Sequence, residues 1–313
     1  MGIEGVEAKH METGMPAAQS GGAAALEERA LVFECGGERL YGILSLPAPA
    51  AACTRGVLVV VGGPQYRAGS HRQFTLLARD LAHEGVATLR FDYRGMGDSE
   101  GAARGFEEVG DDLRAAIDAF MAALPGLRQV VLWGLCDAAS AIGMYAARDP
   151  RVAGVVLLNP WVRTEDGLAR ATLRHYYSAR LRDPAFWRQL LRGGLDVRGS
   201  LASLLALLRK ARGGQSSAAG GAAASTAAST AALPERMRAG LQAFRGQVLL
   251  VIAGHDLTAR EFCDLADADA AWRGILAPPR VTRRQIDAAD HTFSRREWRD
   301  QVARWTAEWL RSW

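Results

Sequence analysis

The sequence predicts an α/β protein, with a mostly parallel central sheet that is flanked by helices and interrupted by a helical insertion. Two features indicate this class. Apolar runs such as GVLVVVGG, QVVLWG and QVLLVIAG alternate along the chain with amphipathic stretches, which is typical of parallel strands joined by helices. These runs are apolar at successive positions, as expected for strands that are buried on both faces.

The core is predicted in two parts, residues 30–160 and 246–313. In the first part, ALVFE and RLYGILSLP predict a hairpin, and GVLVVVGG predicts a buried strand. The helix HRQFTLLARDLAHEG, which ends at Gly85, begins the regular alternation. The later strands are VATLRFDYRG, QVVLWG, VAGVVLLNPW, QVLLVIAG and VTRRQID, and the later helices are FEEVGDDLRAAIDAFMAAL, CDAASAIGMYAARD, EFCDLADADAAWRG and REWRDQVARWTAEWLRSW.

Two segments stand apart from this core. Residues 1–29 are rich in Gly, Ala, Ser and Glu without an apolar period, which predicts a mobile leader. Residues 161–245 interrupt the strand–helix alternation with helical patterns and predict a lid or cap. Within them, the Gly/Ala/Ser tract 213–232 predicts a flexible loop.

Composition restricts the partners and the location. The 38 basic residues barely exceed the 34 acidic ones and are dispersed, so no basic patch predicts a nucleic-acid partner. No apolar run is long enough for an integral membrane span, and no signal peptide is recognisable, which favours a cytoplasmic location. The four cysteines form no CxxC pair, so the sequence predicts neither a metal nor another cofactor. The oligomeric state is left open.

Cys136 is the candidate nucleophile. It follows the strand QVVLWG and begins the next helix, with Gly134 and Ala138 two positions to either side. A nucleophile on such a strained turn needs small neighbours at those positions, and the positive end of a helix favours a thiolate. An isolated cysteine is more often a small buried apolar residue, but the strand–turn–helix context favours the reactive role.

Two further candidates follow later strands in the order that this chemistry requires. Asp256 follows QVLLVIAG, and His291 follows the next strand. The histidine would take the thiol proton, and the acid would fix the imidazole tautomer. Several neighbours compete with Asp256 for the acid role or lie close to it: Asp287, Asp290, His255 and Asp264.

An acyl-transfer site also needs donors for the developing oxyanion. One is expected to be the backbone N–H of Asp137, directly after the nucleophile. The other is expected from the loop after GVLVVV, where Pro64 has no N–H. Gly63 is the predicted donor and Gln65 the fallback, although Gly-Gly-Pro is also compatible with a plain tight turn.

The surroundings of the site are less sharply defined by the sequence. Tyr66, His71 and Trp161 are predicted to line the substrate pocket. For His71 and Arg67 two placements stay open, at the mouth of the pocket or elsewhere on the surface. The loop DYRGMGDSEG is interpreted as structural, with Asp92 and Arg94 bracing the turn beneath the site. Four residues of the insertion are candidates for the pocket wall, with core packing as the alternative: Tyr176, Tyr177, Phe186 and Trp187.

Four motifs carry a family resemblance. GGPQYRAGSHRQF, RFDYRGMGDSEG, LWGLCDAAS and HDLTAREF resemble the α/β-hydrolase superfamily over Leu31 to Trp313, and within it the exosortase A system-associated hydrolases of type 1. The resemblance implies the α/β-hydrolase fold with a lid after the sixth strand, in bacteria that carry exosortase and exopolysaccharide genes. Val61 departs from the usual histidine of the oxyanion loop, and GLCDA departs from G-x-S-x-G.

The sequence therefore predicts a cysteine-dependent hydrolase of an ester or thioester, acting through an acyl-Cys136 intermediate on a small-molecule or carrier-bound acyl substrate. Dienelactone hydrolases and polyester synthases, which share this fold, also use Cys-Asp-His. A thiolate attacks unactivated amides poorly, which disfavours a peptidase. Transfer of the acyl group to a carrier, sugar or alcohol is the alternative. A non-catalytic binding protein on a decayed hydrolase fold is a third reading, which the presence of all three triad residues disfavours.

Overall fold

The computed structural model describes residues 26–48, 53–63, 65–162 and 232–313. Most of the predicted leader and nearly all of the predicted insertion, with the tract 213–232 except for its last residue, lie outside the described residues. The insertion residues that were considered for the pocket wall also lie outside them: Tyr176, Tyr177, Phe186 and Trp187.

The strands form a single sheet. They are β1 Glu27–Cys35, β2 Glu38–Leu46, β3 Arg55–Val60, β4 Ala87–Phe91, β5 Gln129–Leu135, β6 Val152–Leu158, β7 Gln247–Ala253 and β8 Val281–Ile286. Their order in the sheet is β1-β2-β4-β3-β5-β6-β7-β8. β1 and β2 pair in antiparallel fashion, β2 is antiparallel to β4, and all other pairs are parallel. The predicted fold class, the α/β-hydrolase fold, is confirmed.

The central strands are apolar at successive positions because both faces of the sheet are covered. In β5, Val130 and Leu132 belong to the core on one face. Val131 and Trp133, between and beside them, belong to the core on the other face. Successive side chains of a strand point to opposite faces, so a strand between two helical layers has no polar side.

Seven helices are described, numbered here in chain order. They are α1 Gln73–His83, α2 Gly110–Ala123, α3 Asp137–Tyr145, α4 Leu233–Ala243, α5 Leu257–Ala268, α6 Ala270–Ile275 and α7 Arg296–Arg311. The helix predicted through EFCDLADADAAWRG is divided into α5 and α6, because the Asp269 carboxylate accepts the N–H groups of Ala271 at 2.6 Å and Trp272 at 3.3 Å and so starts a new helix. None of the described helices is long and apolar enough to cross a bilayer.

Helix α4 lies at the end of the predicted insertion and packs on the core. The sequence placed this stretch in the insertion, which was expected to run to residue 245. The structure packs α4 on α3, so closely that a Cβ at Gly240 would lie 2.2 Å from the Gly143 carbonyl oxygen. Met237 and Leu241 are fully buried in the core as a result. Gly240 permits this close approach because it has no side chain.

The sheet brings residues from distant parts of the chain to one edge. The parallel strands β3, β5, β6, β7 and β8 all end there, and the loops that follow them carry Gly63, Cys136, Asn159, Asp256 and His291. In wound α/β sheets, ligands bind at the carboxyl ends of the strands. A functional site is therefore expected at this edge of the sheet.

Candidate active site

Cys136 lies on a strained turn between β5 and α3. Its φ of 62° and ψ of −123° are unusual for a residue other than glycine. The turn is held by the Cys136 N–H, which donates to the Leu158 carbonyl at 2.8 Å, and by the Cys136 carbonyl, which accepts from the Ser140 N–H at 3.3 Å. A Cβ at Gly134 would lie 2.7 Å from Ile142 Cδ1, so the turn requires a residue without a side chain there.

Trp161 is anchored beside this turn through its backbone. Its N–H donates to the Cys136 carbonyl at 3.2 Å, and its own carbonyl accepts from the Ser140 hydroxyl. The loop that leaves β6 is therefore attached to the turn that carries the sulfur. This places Trp161 next to Cys136, where the sequence predicted a pocket residue.

The acid and the histidine meet at this edge. His291 Nδ1 lies 2.7 Å from Asp256 Oδ2. The same carboxylate starts α5, because it accepts the N–H groups of Thr258 at 3.0 Å and Ala259 at 3.2 Å. Only 7% of the Asp256 side chain is exposed. The helix start thus fixes the direction in which the carboxylate meets the ring.

The competing acids have other partners. Asp290 accepts the Ser294 N–H at 3.0 Å and also the Ser294 hydroxyl. Asp287 accepts from Gln285 Nε2 at 2.6 Å. Asp264 lies within α5, and His255 is exposed. In the described part of the chain, Asp256 is the acid whose hydrogen bond to the His291 ring is resolved.

The protonation of His291 follows from its neighbours. The His291 pKa is raised to about 10. The hydrogen bond to Asp256 is the largest cause and a hydrogen bond with the Cys136 side chain is the next, whereas burial opposes the rise. The ring is therefore protonated at neutral pH. A protonated imidazole beside a sulfur is the arrangement that favours a reactive thiolate in cysteine enzymes.

The loop after β3 meets the first residue of α3. Gly63, with a φ of 58°, donates its N–H to Asp137 Oδ2 at 2.8 Å. The other carboxylate oxygen accepts the Ala138 N–H at 2.9 Å. A Cβ at Gly62 would lie 2.1 Å from Asp137 Oδ1, so this approach needs a glycine. Only the backbone of Asp137 was predicted to belong to the site, whereas its side chain binds the N–H of Gly63, the predicted oxyanion donor.

Burial acts on this carboxylate as well. Burial is the largest influence on Asp137 and raises its pKa above the usual value. Hydrogen bonds from the N–H groups of Gly63, Ala138 and Asp137 itself, together with the charge of His291, partly offset that effect. The fallback donor Gln65 uses its side-chain oxygen to accept the Ser70 N–H at 3.4 Å, which supports the loop from within.

Asn159 is a site residue that the sequence analysis missed. Its side chain is fully buried, and its Nδ2 donates to the His291 carbonyl at 2.9 Å. Its Oδ1 accepts the Ala253 N–H at 2.8 Å. Asn159 thereby joins the ends of β6 and β7 to the loop that carries the histidine. Its left-handed φ of 43°, which asparagine tolerates better than most residues, suits the turn after β6.

The loop DYRGMGDSEG is held in place by ion pairs with buried carboxylates. Asp92 is fully buried, accepts the Arg67 N–H at 2.6 Å and forms an ion pair with the Arg67 guanidinium. Arg94 pairs with the buried Asp112, its Nε and Nη2 donating at 2.9 and 3.0 Å. Both residues brace their loop, and Arg67 extends to Asp92 and Asp98.

Tyr66 and His71 are exposed at the protein surface. The Tyr66 side chain is 51% exposed, and its ring centre is 5.7 Å from the Arg67 guanidinium carbon. His71 is exposed and lies close to Asp290. Burial alone would raise the Asp290 pKa. The hydrogen bonds from Ser294 and the charge of His71 outweigh burial, so the Asp290 pKa lies below its usual value. Among residues 26–48, 53–63, 65–162 and 232–313, no cluster of three or more His, Cys, Asp or Glu side chains could hold a metal ion.

Comparisons with known proteins agree with the fold. A family model described as serine aminopeptidase, S33, matches residues 52–268, more than half of the chain. No curated protein matches significantly.

Solved structures match at low sequence identity. An esterase of Pyrococcus furiosus, Pf2001, is 15% identical over 92% of this chain and 93% of its own, with a TM-score of 0.60. A dienelactone hydrolase from Anabaena variabilis is 17% identical over 92% and 98%, with a TM-score of 0.55. Est1E from Butyrivibrio proteoclasticus, solved with ferulic acid bound, is 15% identical over 90% and 98%, with a TM-score of 0.57. At this identity the likeness concerns the fold.

Proposed function

Because the chain belongs to the serine aminopeptidase S33 family of α/β hydrolases, we propose that it hydrolyses an ester or thioester through an acyl-Cys136 intermediate. One observation carries the proposal. The His291 ring interacts with the Cys136 side chain through a hydrogen bond, and Nδ1 of that ring lies 2.7 Å from Asp256 Oδ2. Nucleophile, base and orienting acid are the three parts that covalent acyl transfer requires.

The reaction follows from these positions. The Cys136 thiolate attacks the acyl carbon, forms a C–S bond and pushes an electron pair onto the carbonyl oxygen. The backbone N–H groups of Gly63 and Asp137 would stabilise that oxyanion. As the tetrahedral intermediate collapses, His291 gives its proton to the leaving alcohol or thiol. Water then attacks the thioester while His291 accepts a proton, and Cys136 leaves as a thiolate.

The cysteine favours esters and thioesters over peptides. The family is named for serine aminopeptidases, whereas this chain has Cys136 at the strained turn. A thiolate is a better leaving group than an amine, so a tetrahedral adduct with an unactivated amide reverts rather than expelling the amine. The esterase and dienelactone hydrolase among the similar structures agree with this choice.

The setting is part of the proposal. The motifs that resemble exosortase A system-associated hydrolases support a role beside exosortase and exopolysaccharide functions, in the cytoplasm, on an acyl group that is free or bound to a carrier. The same acyl-Cys136 intermediate could pass its acyl group to a carrier, sugar or alcohol. Product analysis with and without an alcohol acceptor distinguishes hydrolysis from transfer.

Intact-protein mass spectrometry with p-nitrophenyl acetate tests the intermediate. We expect an acetyl adduct on Cys136 and a burst of p-nitrophenolate, both absent in Cys136→Ala. Cys263→Ser is the matched control, because Cys263 is a partly buried free cysteine on α5 that contacts Arg283. Full activity of Cys136→Ala, without any adduct on the wild type, would eliminate the mechanism.

A further inference from the structure

The oxyanion side of the site is occupied by the protein itself. The proposed donors are the N–H groups of Gly63 and Asp137, and the Gly63 N–H is hydrogen-bonded to the Asp137 carboxylate. The Gly63 bond is short, at 2.8 Å, and the carboxylate is held further by the Ala138 N–H at 2.9 Å. Before any acyl group arrives, the position that a carbonyl oxygen needs is thus filled by a negatively charged oxygen.

A carboxylate and an oxyanion compete for this position. An oxygen that carries developing negative charge would share the Gly63 N–H with the carboxylate and would lie close to it. Like charges a few ångströms apart in a half-buried site repel each other strongly. Activation of the acyl carbonyl therefore requires the Asp137 side chain to move away or to lose its charge.

We infer that Asp137 controls acylation: its side chain fills the oxyanion site in the free enzyme, and it has to leave the Gly63 N–H before an acyl carbonyl can be activated. The inference rests on the proposed function, because the oxyanion site has meaning only for an acyl substrate. Asp137 is in this view a residue that sets the acylation rate and selects among reagents. An acyl carbonyl meets the barrier, whereas a reagent that needs no oxyanion does not.

Gly62 leaves room for the Asp137 carboxylate, and burial disfavours the charge of that carboxylate. Gly62 has no side chain where one would collide with Asp137 Oδ1. Burial makes the ionised form of Asp137 less favourable and raises its pKa, and the same charge contributes to the raised pKa of the buried Tyr93. His291 is the positive charge that acts on Asp137. A contact with such a cost can be broken by a substrate that is bound elsewhere in the site.

Two reactions at Cys136 distinguish an effect of Asp137 on the oxyanion site from an effect on the reactivity of the sulfur. Acylation by p-nitrophenyl acetate, followed as the burst of p-nitrophenolate, needs the oxyanion site. Alkylation by iodoacetamide reports the reactivity of the sulfur and needs no oxyanion. For Asp137→Ala we expect the burst rate to rise by roughly 10-fold, less than the roughly 10²–10³-fold effect of a single oxyanion donor, while the alkylation rate changes by less than about 2-fold.

Two more variants complete the experiment. Asp137→Asn retains the size of the side chain and removes the charge, so its burst rate should lie between those of the wild type and Asp137→Ala; it also decides the question if the alanine variant does not fold. Asp111→Ala is the matched control, because Asp111 is an exposed acid in the first turn of α2, and it should leave both rates unchanged.

The possible results distinguish failure of the inference from failure of the proposed function. A burst rate that is equal or slower in Asp137→Ala and Asp137→Asn, with normal alkylation, overturns the inference and leaves the proposed function standing. Equal increases in burst and alkylation rates also overturn it, because Asp137 would then act on the sulfur. If neither the wild type nor the variants are acylated although Cys136 is alkylated normally, the proposed function fails, and the inference fails with it.

Discussion

The two sides of Cys136 differ in the way their polar groups are satisfied. On one side, Asp256 and His291 already hold the contact that catalysis needs, with 2.7 Å between Oδ2 and Nδ1. On the other side, the Gly63 N–H is bound to the Asp137 carboxylate, which a substrate would have to replace. In the free protein the Asp256–His291 side is therefore preorganised for catalysis, whereas the Gly63 N–H on the other side is occupied by Asp137.

The reason for the difference lies in the attachments of each side. Asp256 accepts two N–H groups at the start of α5 and also contacts the His291 ring, and the backbone of the His291 loop is anchored by Asn159. Among the described residues, the Asp137 carboxylate accepts the N–H groups of Gly63 and Ala138, and burial outweighs them and raises its pKa. Rotation about its own side-chain bonds is sufficient to release Gly63.

Replacing the sulfur should have the largest effect on the preorganised side. In Cys136→Ser the ester turnover should fall by roughly 10²-fold or more, because the imidazolium at position 291 suits a thiolate and a serine hydroxyl remains protonated beside it. Steady-state kinetics with p-nitrophenyl acetate measures the loss, with Cys263→Ser as the control. A serine variant as active as the wild type would contradict the role of the sulfur.

Removing the charge of Asp256 should reduce activity less and change its pH dependence. His291, whose pKa is about 10, remains a proton donor below that pH and loses the proton above it, so the wild-type acylation rate should fall as the pH rises through about 10. In Asp256→Asn the largest cause of the raised pKa is gone. The fall should then begin at a lower pH, and the rate at neutral pH should drop by roughly 10-fold or more.

Asp269→Asn is the matched control for this comparison. Asp269 starts α6 as Asp256 starts α5, by accepting two backbone N–H groups, and no contact with His291 is resolved for it in the described structure. The control should leave the pH profile unchanged. An identical profile for the wild type and Asp256→Asn would show that another group orients His291.

The pairing of His291 with Asp256 also makes the stability of the folded protein depend on pH. Because the His291 pKa is raised from 6.5 to about 10 in the folded protein, its protonation adds stability that is fully present below about pH 6.5. That contribution is lost progressively as the pH rises towards 10. Denaturant unfolding of the wild type and Asp256→Asn across this range should converge at the alkaline end.

Asn159→Ala should have the smallest effect on chemistry and a measurable one on stability. The change leaves the Ala253 N–H and the His291 carbonyl without their buried partner, which should lower the free energy of unfolding by about 2 kcal/mol. Turnover should fall several-fold at temperatures where the variant is folded, since the histidine loop loses its anchor.

Ser99→Ala provides the comparison for that variant. Ser99 also joins two backbone segments, accepting the Tyr41 N–H at 3.0 Å and donating to the Asp92 carbonyl at 2.6 Å, but it lies on the loop after β4. It should lose about 1–2 kcal/mol of stability without the fall in turnover. Equal turnover losses in both variants would indicate a general effect of stability rather than an anchored histidine.

The sequence by itself determined the sheet and the order of the candidate residues. Strands that are apolar at every position, separated by helices, are an immediate consequence of burial on both faces, and residues that follow such strands meet at one edge. The turn at Cys136 was recognisable for a similar reason, because Gly134 and Ala138 have to be small within a few residues of the sulfur. These are constraints that act over short stretches of chain.

Only the tertiary structure decided which polar atoms meet. The Asp137 carboxylate and the Gly63 N–H are 74 residues apart, and Asn159 and His291 are 132 apart. No local pattern records those contacts, since they depend on where each loop leaves its strand and how each side chain rotates. The assignment of α4 to the core was decided in the same way, by the close approach of Gly240 to Gly143. Periodicity can be read along a chain, whereas hydrogen-bond partners are set by the distances between its folded segments.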